Sequence, residues 1–198
     1  MSFLSSIFLP RRLTFGADIK SIRFTPTDVV KAFKTRAAFE KTVHFYTYVT
    51  REYQHLFPKL HQVDAKELTI ETENCGELVN LYTLPGDYTH QLNTLRAFFL
   101  SAGILVLDIR FMPWTPYVLN NVCVKEGRLT LVDLALYRQK TPAYINKYFD
   151  KLIWQIRVYT ALRHAVFLLY PVHIFMYILW LLTDLFERIT GANGSPPV

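Results

Sequence analysis

The chain has 198 residues and a net charge of +6, and 51% of its residues are hydrophobic, which excludes an intrinsically disordered protein. Residues 67–133 carry eight acidic and four basic side chains, and no nucleic-acid-binding motif is present, so direct binding of nucleic acid is not expected. The cysteines, Cys75 and Cys123, are far apart and have no CxxC or Cys/His spacing, which argues against a disulfide framework and a structural zinc site.

The N-terminal third predicts an apolar arm followed by short strands. Residues 1–12 form the arm, and its basic pair follows the apolar run, unlike the order in a secretory signal. Alternating apolar residues predict a hairpin of Leu13–Phe15 with Ile19–Phe24, and a third strand at Val29–Phe33. This third strand contains a single lysine, Lys31.

The central part of the chain predicts three helices and two strands. Apolar spacing predicts helices over residues 37–57, 77–84 and 88–102, the last ended by Gly103. Leu68–Ile70 predicts a strand that leads into a polar stretch ending at Gly76. Ile104–Asp108 predicts a buried strand that ends in a carboxylate. Together with the first third, this order predicts an α+β protein.

Residues 121–133 predict a hairpin with a polar residue at each foot. Strands at 122–124 and 129–132 flank a tight turn at Glu126-Gly127. Asn121 opens the first strand and Asp133 ends the second, so both side chains are expected at the same end of the hairpin. Their oxygen atoms are hard ligands that suit Mg²⁺.

This hairpin resembles the protein-kinase-like superfamily, in which a catalytic-loop Asn and the Asp of the following DFG-type motif hold magnesium. Asp133-Leu134-Ala135 stands where DFG would. The resemblance covers roughly residues 13–140 and implies a minimal two-lobe kinase-like fold that binds ATP and Mg²⁺. Its N-lobe would be a short antiparallel sheet with one helix (13–76), and its C-lobe would be helical (77–163).

The same resemblance assigns roles to further residues. Lys31 would hold nucleotide phosphates, with Glu40, or alternatively Glu52, as its helix partner. Asp108 would accept the proton of the attacking hydroxyl. The stretch 68–76, which includes Glu73 and Cys75, would form the hinge whose backbone pairs with adenine.

Each of these residues also has a simple structural interpretation. Lys31 could be a solvent-facing position of an edge strand, and Asp108 the polar end of a buried strand. Asn121 and Asp133 could bond to the backbone of a turn. Two departures from the kinase pattern support this view: Asp108 and Asn121 are thirteen residues apart, and no G-x-G-x-x-G loop is present.

The C-terminal segment is strongly apolar. His164–Thr183 contains twenty residues without Asp, Glu, Lys or Arg, enough for a helix of about 30 Å. Residues 164–190 are therefore expected to be a membrane-associated helix, or a buried helix pair meeting at Pro171. Basic residues precede the segment, which places the main domain on the cytoplasmic side. Residues 191–198 are expected to be a disordered tail.

These features predict a membrane-associated kinase-like phosphotransferase. It would move the γ-phosphate of ATP to a hydroxyl of a sugar, a lipid-linked glycan or a protein. Among kinase-like proteins the chain looks most similar to small bacterial kinases of lipopolysaccharide-core sugars. The alternative is a catalytically inactive kinase-like protein that binds a protein partner at a membrane.

Overall fold

The structure is a computed structural model that describes residues 18–112, 115–134 and 137–190. It confirms an α+β protein with antiparallel sheets and four α-helices in the described residues. The chain divides into two compact units. Unit 1 contains the described residues up to His44 together with Leu60–Asn74, and unit 2 contains Phe45–Lys59 and the described residues from Cys75 onward. The predicted arm 1–12, the strand 13–15 and the tail 191–198 lie outside the described residues.

Unit 1 is a four-stranded antiparallel sheet with one helix. The strands follow the order β1-β2-β4-β3 across the sheet. Apolar side chains of the sheet and the helix form a small core around Phe33 and Phe39. The strand predicted at 29–33 is confirmed, whereas β3 was not predicted. The elements are β1 (Ile19–Phe24), β2 (Asp28–Phe33), α1 (Arg36–Phe45), β3 (Leu60–Asp64) and β4 (Thr69–Glu73).

The first helix is shorter than its apolar spacing predicts. Helix α1 ends at Phe45, and the chain continues through turns and a short 3-10 helix at Gln54–Leu56. The turns are closed by bonds between residues three apart, such as Tyr48 N–H to the Phe45 carbonyl at 2.9 Å. Residues 45–50 are all aromatic or β-branched, and such residues lose side-chain freedom in a helix. Their apolar spacing therefore serves packing rather than helix extension.

Unit 2 combines two small sheets with three helices. Strand β8 pairs with β5, β7 and β9, and β6 pairs with β10. The helix predicted at 77–84 is wrong: residues 77–80 form β5, in which Leu78 pairs with Cys123 of β8. The elements are β5 (Glu77–Asn80), α2 (Tyr88–Ala102), β6 (Ile104–Val106), β7 (Phe111–Met112), β8 (Thr115–Lys125), β9 (Arg128–Leu131), β10 (Tyr137–Gln139), α3 (Pro142–Leu162) and α4 (Val166–Thr190).

Two local predictions in unit 2 are confirmed. Helix α2 spans 88–102 and ends at Gly103, whose φ of 64° is left-handed, a conformation that glycine adopts without strain. The hairpin β8–β9 turns at Glu126 and Gly127, both with positive φ, and Lys125 pairs with Arg128. Two consecutive positive φ values are typical of a two-residue type I′ turn, whose backbone twist matches the right-handed twist of the flanking strands.

Helix α4 packs on unit 2 along only one of its sides. Leu169, His173 and Met176 are buried, whereas most of the other large apolar side chains described on α4 are exposed. The helix continues through Pro171, so no corner separates two helices there. In the described residues, no helix combines the length and the hydropathy required to cross a bilayer.

A buried polar chain joins α3 to α4. Gln155 Nε2 donates to the Tyr159 hydroxyl at 2.9 Å, and that hydroxyl lies 2.8 Å from His173 Nδ1. Tyr159 and His173 are almost fully buried, so these bonds replace the hydration that the polar atoms lose. Burial raises the pKa of Tyr159 to about 12, although the bond from Gln155 opposes this shift.

The raised pKa of Tyr159 predicts alkaline destabilisation. A folded state that keeps a proton which the unfolded state releases loses stability as the pH rises from about 10 to about 12. Tyr159→Phe should flatten this loss, and at neutral pH it should cost roughly 1–3 kcal/mol because Gln155 and His173 lose their partner. Urea unfolding at a series of pH values measures both effects. An equal alkaline loss of stability in the variant would contradict the assignment.

Candidate functional site

Asp108 and Asn121 are thirteen positions apart, and the antiparallel pairing of β7 with β8 reverses the direction of the chain and brings the two side chains together. After Asp108 the chain enters β7, and β7 pairs with β8 through Phe111 and Leu119. Asn121 Nδ2 lies 3.2 Å from Asp108 Oδ2. The long spacing that counts against a kinase-like site in the sequence is therefore compatible with a close pair in the fold.

The carboxylate of Asp108 is the centre of a polar group, which we call the Asp108 cluster: Asp108, Arg110, Asn120 and Asn121. Asn120 Nδ2 donates to Oδ2 of Asp108 at 2.7 Å, and Arg110 Nε donates to Oδ1 at 3.0 Å. Asp108 is half-buried, with 26% of its side chain exposed. Two amides and a guanidinium thus fix the orientation of a carboxylate that is still reachable from solvent.

An irregularity in β8 directs the two asparagines toward Asp108. Between Leu78 and Asn80 of β5 lies one residue, whereas between their partners Cys123 and Val118 lie four, so β8 bulges at 119–122. Asn121 has a φ of 59° within this bulge. Asparagine tolerates left-handed backbone better than most residues, so the sequence supplies both the conformation and the amide.

Tyr148 of α3 binds the backbone of the loop that carries Asp108. Its buried hydroxyl donates to the Ile109 carbonyl at 2.7 Å and lies 3.4 Å from the Leu107 carbonyl. Burial raises the pKa of Tyr148, and the negative charge of Asp108 adds to that shift. Tyr148 therefore remains a neutral donor that ties the loop to the core.

Asp133 lies directly beyond the other foot of the hairpin. The Val132 N–H donates to the Asn121 carbonyl at 2.9 Å, so the residue before Asp133 is bonded to Asn121. Asp133 is half-buried and is followed by Leu134, which is buried in the core of unit 2. The structure therefore places Asn121 and the backbone next to Asp133 at the same end of the β8–β9 hairpin, and the Asn121 side chain bonds to Asp108, all within unit 2.

The predicted nucleotide ligands Lys31, Glu40 and Glu73 lie in unit 1, whereas Asp108, Asn121 and Asp133 lie in unit 2. Lys31 lies on β2 between Ile22 of β1 and Ile70 of β4, so it is not on an edge strand. Glu40 is exposed and pairs with Arg36 at 3.6 Å. Glu73 ends β4 and is half-buried. The phosphate-binding role of Lys31, the role of Glu40 as its partner and the hinge role of Glu73 stay predictions.

The predicted hinge lies where the chain passes from one unit to the other. Unit 1 ends at Asn74 and unit 2 resumes at Cys75, and the lobe bounds 13–76 and 77–163 stay predictions. Cys75 is buried, and Gly76 has a φ of 87°. A Cβ atom at Gly76 would lie 2.7 Å from the Val124 carbonyl oxygen, so only glycine fits without a shift.

Glu52, the alternative partner of Lys31, lies beyond the end of α1 and is exposed.

Sequence reasoning missed Arg110, Asn120 and Tyr148. A signal for Asn120 was present, since two adjacent asparagines open the predicted strand. Arg110 follows Asp108 by two residues but had no assigned role. Tyr148 reaches the loop from a helix about forty residues away, and a contact of that kind leaves no local pattern.

A second group of polar side chains lies on the sheet of unit 1. Within the described residues, Asp28, His61 and Glu71 are the one set of three potential metal ligands whose atoms lie within 4.8 Å of one another. His61 Nδ1 lies 2.8 Å from Asp28 Oδ1. A hydrogen bond from Thr27 lowers the pKa of Asp28, and the contact with His61 acts in the same direction. The contact between Asp28 and His61 is a structural account of two of these three side chains.

A scan of protein-family models finds none that matches this chain, and a search of characterised proteins finds no match either.

Proposed function

We propose that the protein is a membrane-associated, kinase-like phosphotransferase that moves the γ-phosphate of ATP to a hydroxyl acceptor. The observation that supports the proposal is that the Asn121 side chain bonds to Asp108, while the Asn121 carbonyl accepts from the N–H of Val132, the residue before Asp133. In the sequence Asp108, Asn121 and Asp133 are spread over 26 positions, and a kinase-like site would need a base and two oxygen ligands in this order.

The donor set at this end of the hairpin fits Mg²⁺. Asp133 offers a carboxylate and Asn121 an amide oxygen, both hard ligands. Since the Nδ2 atom of Asn121 donates to Asp108, its Oδ1 atom is the one that remains for a cation. When bound, the metal would neutralise charge on the phosphates of the nucleotide.

Asp108 would serve as the base in the transfer step. The acceptor oxygen forms a bond to the γ-phosphorus, the bond to the β–γ bridging oxygen breaks, and ADP leaves. The proton of the acceptor hydroxyl passes to the carboxylate of Asp108. Asn120 and Asn121 orient this carboxylate, and Arg110 binds its other oxygen. An acceptor sugar, lipid-linked glycan or protein is compatible with this chemistry, and the kinases of lipopolysaccharide-core sugars are the proposed relatives.

The exposed apolar side of α4 supports association with a membrane. Phe167 and Phe175 are among its most exposed side chains, and soluble monomers rarely expose a continuous apolar row of this length. A cytoplasmic position of the main domain is part of the proposal, because the cytoplasmic leaflet carries the anionic lipid that would attract the basic residues preceding α4.

One observation favours a second candidate, a catalytically inactive kinase-like protein that binds a protein partner at a membrane. Arg110 forms an ion pair with Asp108 at 3.0 Å, so one oxygen of the proposed base already has a partner. Such a protein would bind nucleotide without transferring phosphate, or would bind no nucleotide.

Binding of Mg·ATP tests the proposal. We expect Mg·ATP, at concentrations well above its Kd, to raise the Tm of the full chain, because a ligand that binds only the folded state stabilises it. Asp133→Asn should abolish the magnesium-dependent part of this shift. Glu126→Gln is the matched control, since it removes one negative charge from the other end of the same hairpin. The proposal fails if the parent shows no shift, or if Asp133→Asn and Glu126→Gln behave alike.

A further inference from the structure

Helix α4 exposes an apolar face where a surface helix ordinarily presents polar side chains. At 100° per residue, the exposed positions fall within about half of the helix circumference, opposite the buried Leu169, His173 and Met176. Each of the ten large side chains of this apolar face is at least 43% exposed. They are Phe167, Leu168, Ile174, Phe175, Ile178, Leu179, Leu181, Leu182, Leu185 and Phe186.

Three tyrosines from separate parts of unit 2 meet beside the first turns of α4, and we call them the tyrosine group: Tyr82, Tyr117 and Tyr170. Tyr82 stacks on Tyr117 at 6.0 Å, and Tyr117 contacts Tyr170 at 6.2 Å. Tyr82 and Tyr170 are 57% and 41% exposed. Rings with one polar end favour the boundary between water and lipid, where the apolar part and the hydroxyl are both accommodated.

The side chain of Arg163 lies against the tyrosine group. The guanidinium of Arg163 lies 6.0 Å from the centre of the Tyr82 ring, and the Tyr82 hydroxyl donates to the Arg163 carbonyl at 2.9 Å. The group is therefore anchored to the junction of α3 and α4. Arginine at such a boundary can reach the phosphates of lipid headgroups.

The helix that precedes α4 adds positive charge to the same part of the chain. Four basic residues fall between positions 147 and 163, and the only acidic residue in that interval, Asp150, is paired with Arg96 at 2.8 Å. Lys147 and Arg157 are exposed, as is Trp154 between them. Basic residues in the helix that precedes an apolar helix face complement anionic lipid.

We propose that α4 lies in the plane of an anionic membrane surface. The apolar face enters the acyl-chain boundary, and the tyrosine group with Arg163 lies at the level of the headgroups. This inference rests on the membrane association proposed above and adds the mode of contact, the residues that make it and the lipid class.

Vesicle flotation of the full chain is the first part of the test. We expect the protein to float with phosphatidylcholine vesicles that contain about one-third phosphatidylserine, and to bind at least about tenfold more weakly to phosphatidylcholine alone. Phe175→Glu combined with Leu182→Glu should abolish flotation. Phe24→Glu combined with Val63→Glu is the matched control, because it places the same charges on exposed apolar positions of unit 1. An unchanged circular dichroism spectrum verifies that the variants fold.

The second part of the test measures how deeply α4 enters the membrane. An environment-sensitive dye on Phe175→Cys should shift strongly to the blue when anionic vesicles are added, the same dye on Tyr82→Cys should shift weakly, and on His90→Cys it should not shift. Native Cys75 and Cys123 are buried, so a stoichiometric amount of dye labels the introduced exposed cysteine first, and the parent treated in the same way measures the background.

The outcomes separate this inference from the proposal on which it rests. Flotation without a blue shift at position 175 overturns the in-plane contact and leaves membrane association standing. Absence of flotation overturns both, and it assigns the apolar face to a second copy if the parent is a dimer that the two glutamates dissociate. Neither result changes the expected binding of Mg·ATP.

Discussion

Asp108→Asn should lower the release of ADP from Mg·ATP by about 10²–10⁴-fold, because the amide cannot take the proton of the attacking hydroxyl or water. The substitution keeps the shape of the side chain and one oxygen that can accept from Asn120 and Asn121. Binding of Mg·ATP should therefore change little. Steady-state ADP release, combined with the thermal shift by Mg·ATP, separates the loss of transfer from the loss of binding.

Asp150→Asn is the matched control for the base. It makes the same chemical change at an exposed carboxylate that pairs with Arg96 between α2 and α3. ADP release by this control should equal that of the parent. If Asp108→Asn retains the activity of the parent, Asp108 is not the base. If the parent itself binds Mg·ATP but releases no ADP with any acceptor supplied, the inactive kinase-like protein becomes the better account.

Phe98→Ala should destabilise unit 2 by about 3–5 kcal/mol, the range found for removal of a fully buried aromatic ring. Phe98 is completely buried, and its ring contacts those of Phe57 at 4.8 Å, Phe99 at 5.3 Å and Tyr53 at 5.4 Å. These contacts join α2 to the turns that follow α1. Aromatic pairs add to the free energy of area burial, so the loss should fall at the upper end of the range.

Urea unfolding followed by circular dichroism measures this effect. The control is Phe24→Ala, the same deletion at a side chain that is 58% exposed, for which a change of at most about 0.5 kcal/mol is expected. Similar losses for both variants would show that Phe98 is not a centre of the core.

The sequence predicts those elements whose signals are local. Helix α2 is recovered from residue 88 to residue 102 because apolar spacing and a terminal glycine agree, and the β8–β9 turn is recovered because Glu126-Gly127 allows two positive φ values. Asn121 and Asp133 were likewise expected at one end of this hairpin, and the bond between Val132 and Asn121 joins its feet.

The remaining features depend on contacts between distant residues. Glu77–Asn80 has apolar spacing that fits a helix, yet pairing with β8 more than forty residues later makes it a strand. The helix expected to reach residue 57 stops at Phe45, because the aromatic residues that follow are used in the core. The Asp108 cluster depends on a bulge in β8 and on a tyrosine from α3, and neither feature produces a recognisable pattern in the sequence near Asp108.

The pairing of β7 with β8, which brings Asp108 close to Asn121, has a consequence for recognising related chains. The distance between Asp108 and Asn121 depends on the pairing of β7 with β8, and the number of residues between the last pair of these strands, Met112 and Thr115, is a matter of loop length. Insertions or deletions there can accumulate without displacing either side chain. Alignments that penalise gaps will therefore separate distant relatives at this point, whereas a search for the two residues in space, whatever their separation along the chain, would group them together.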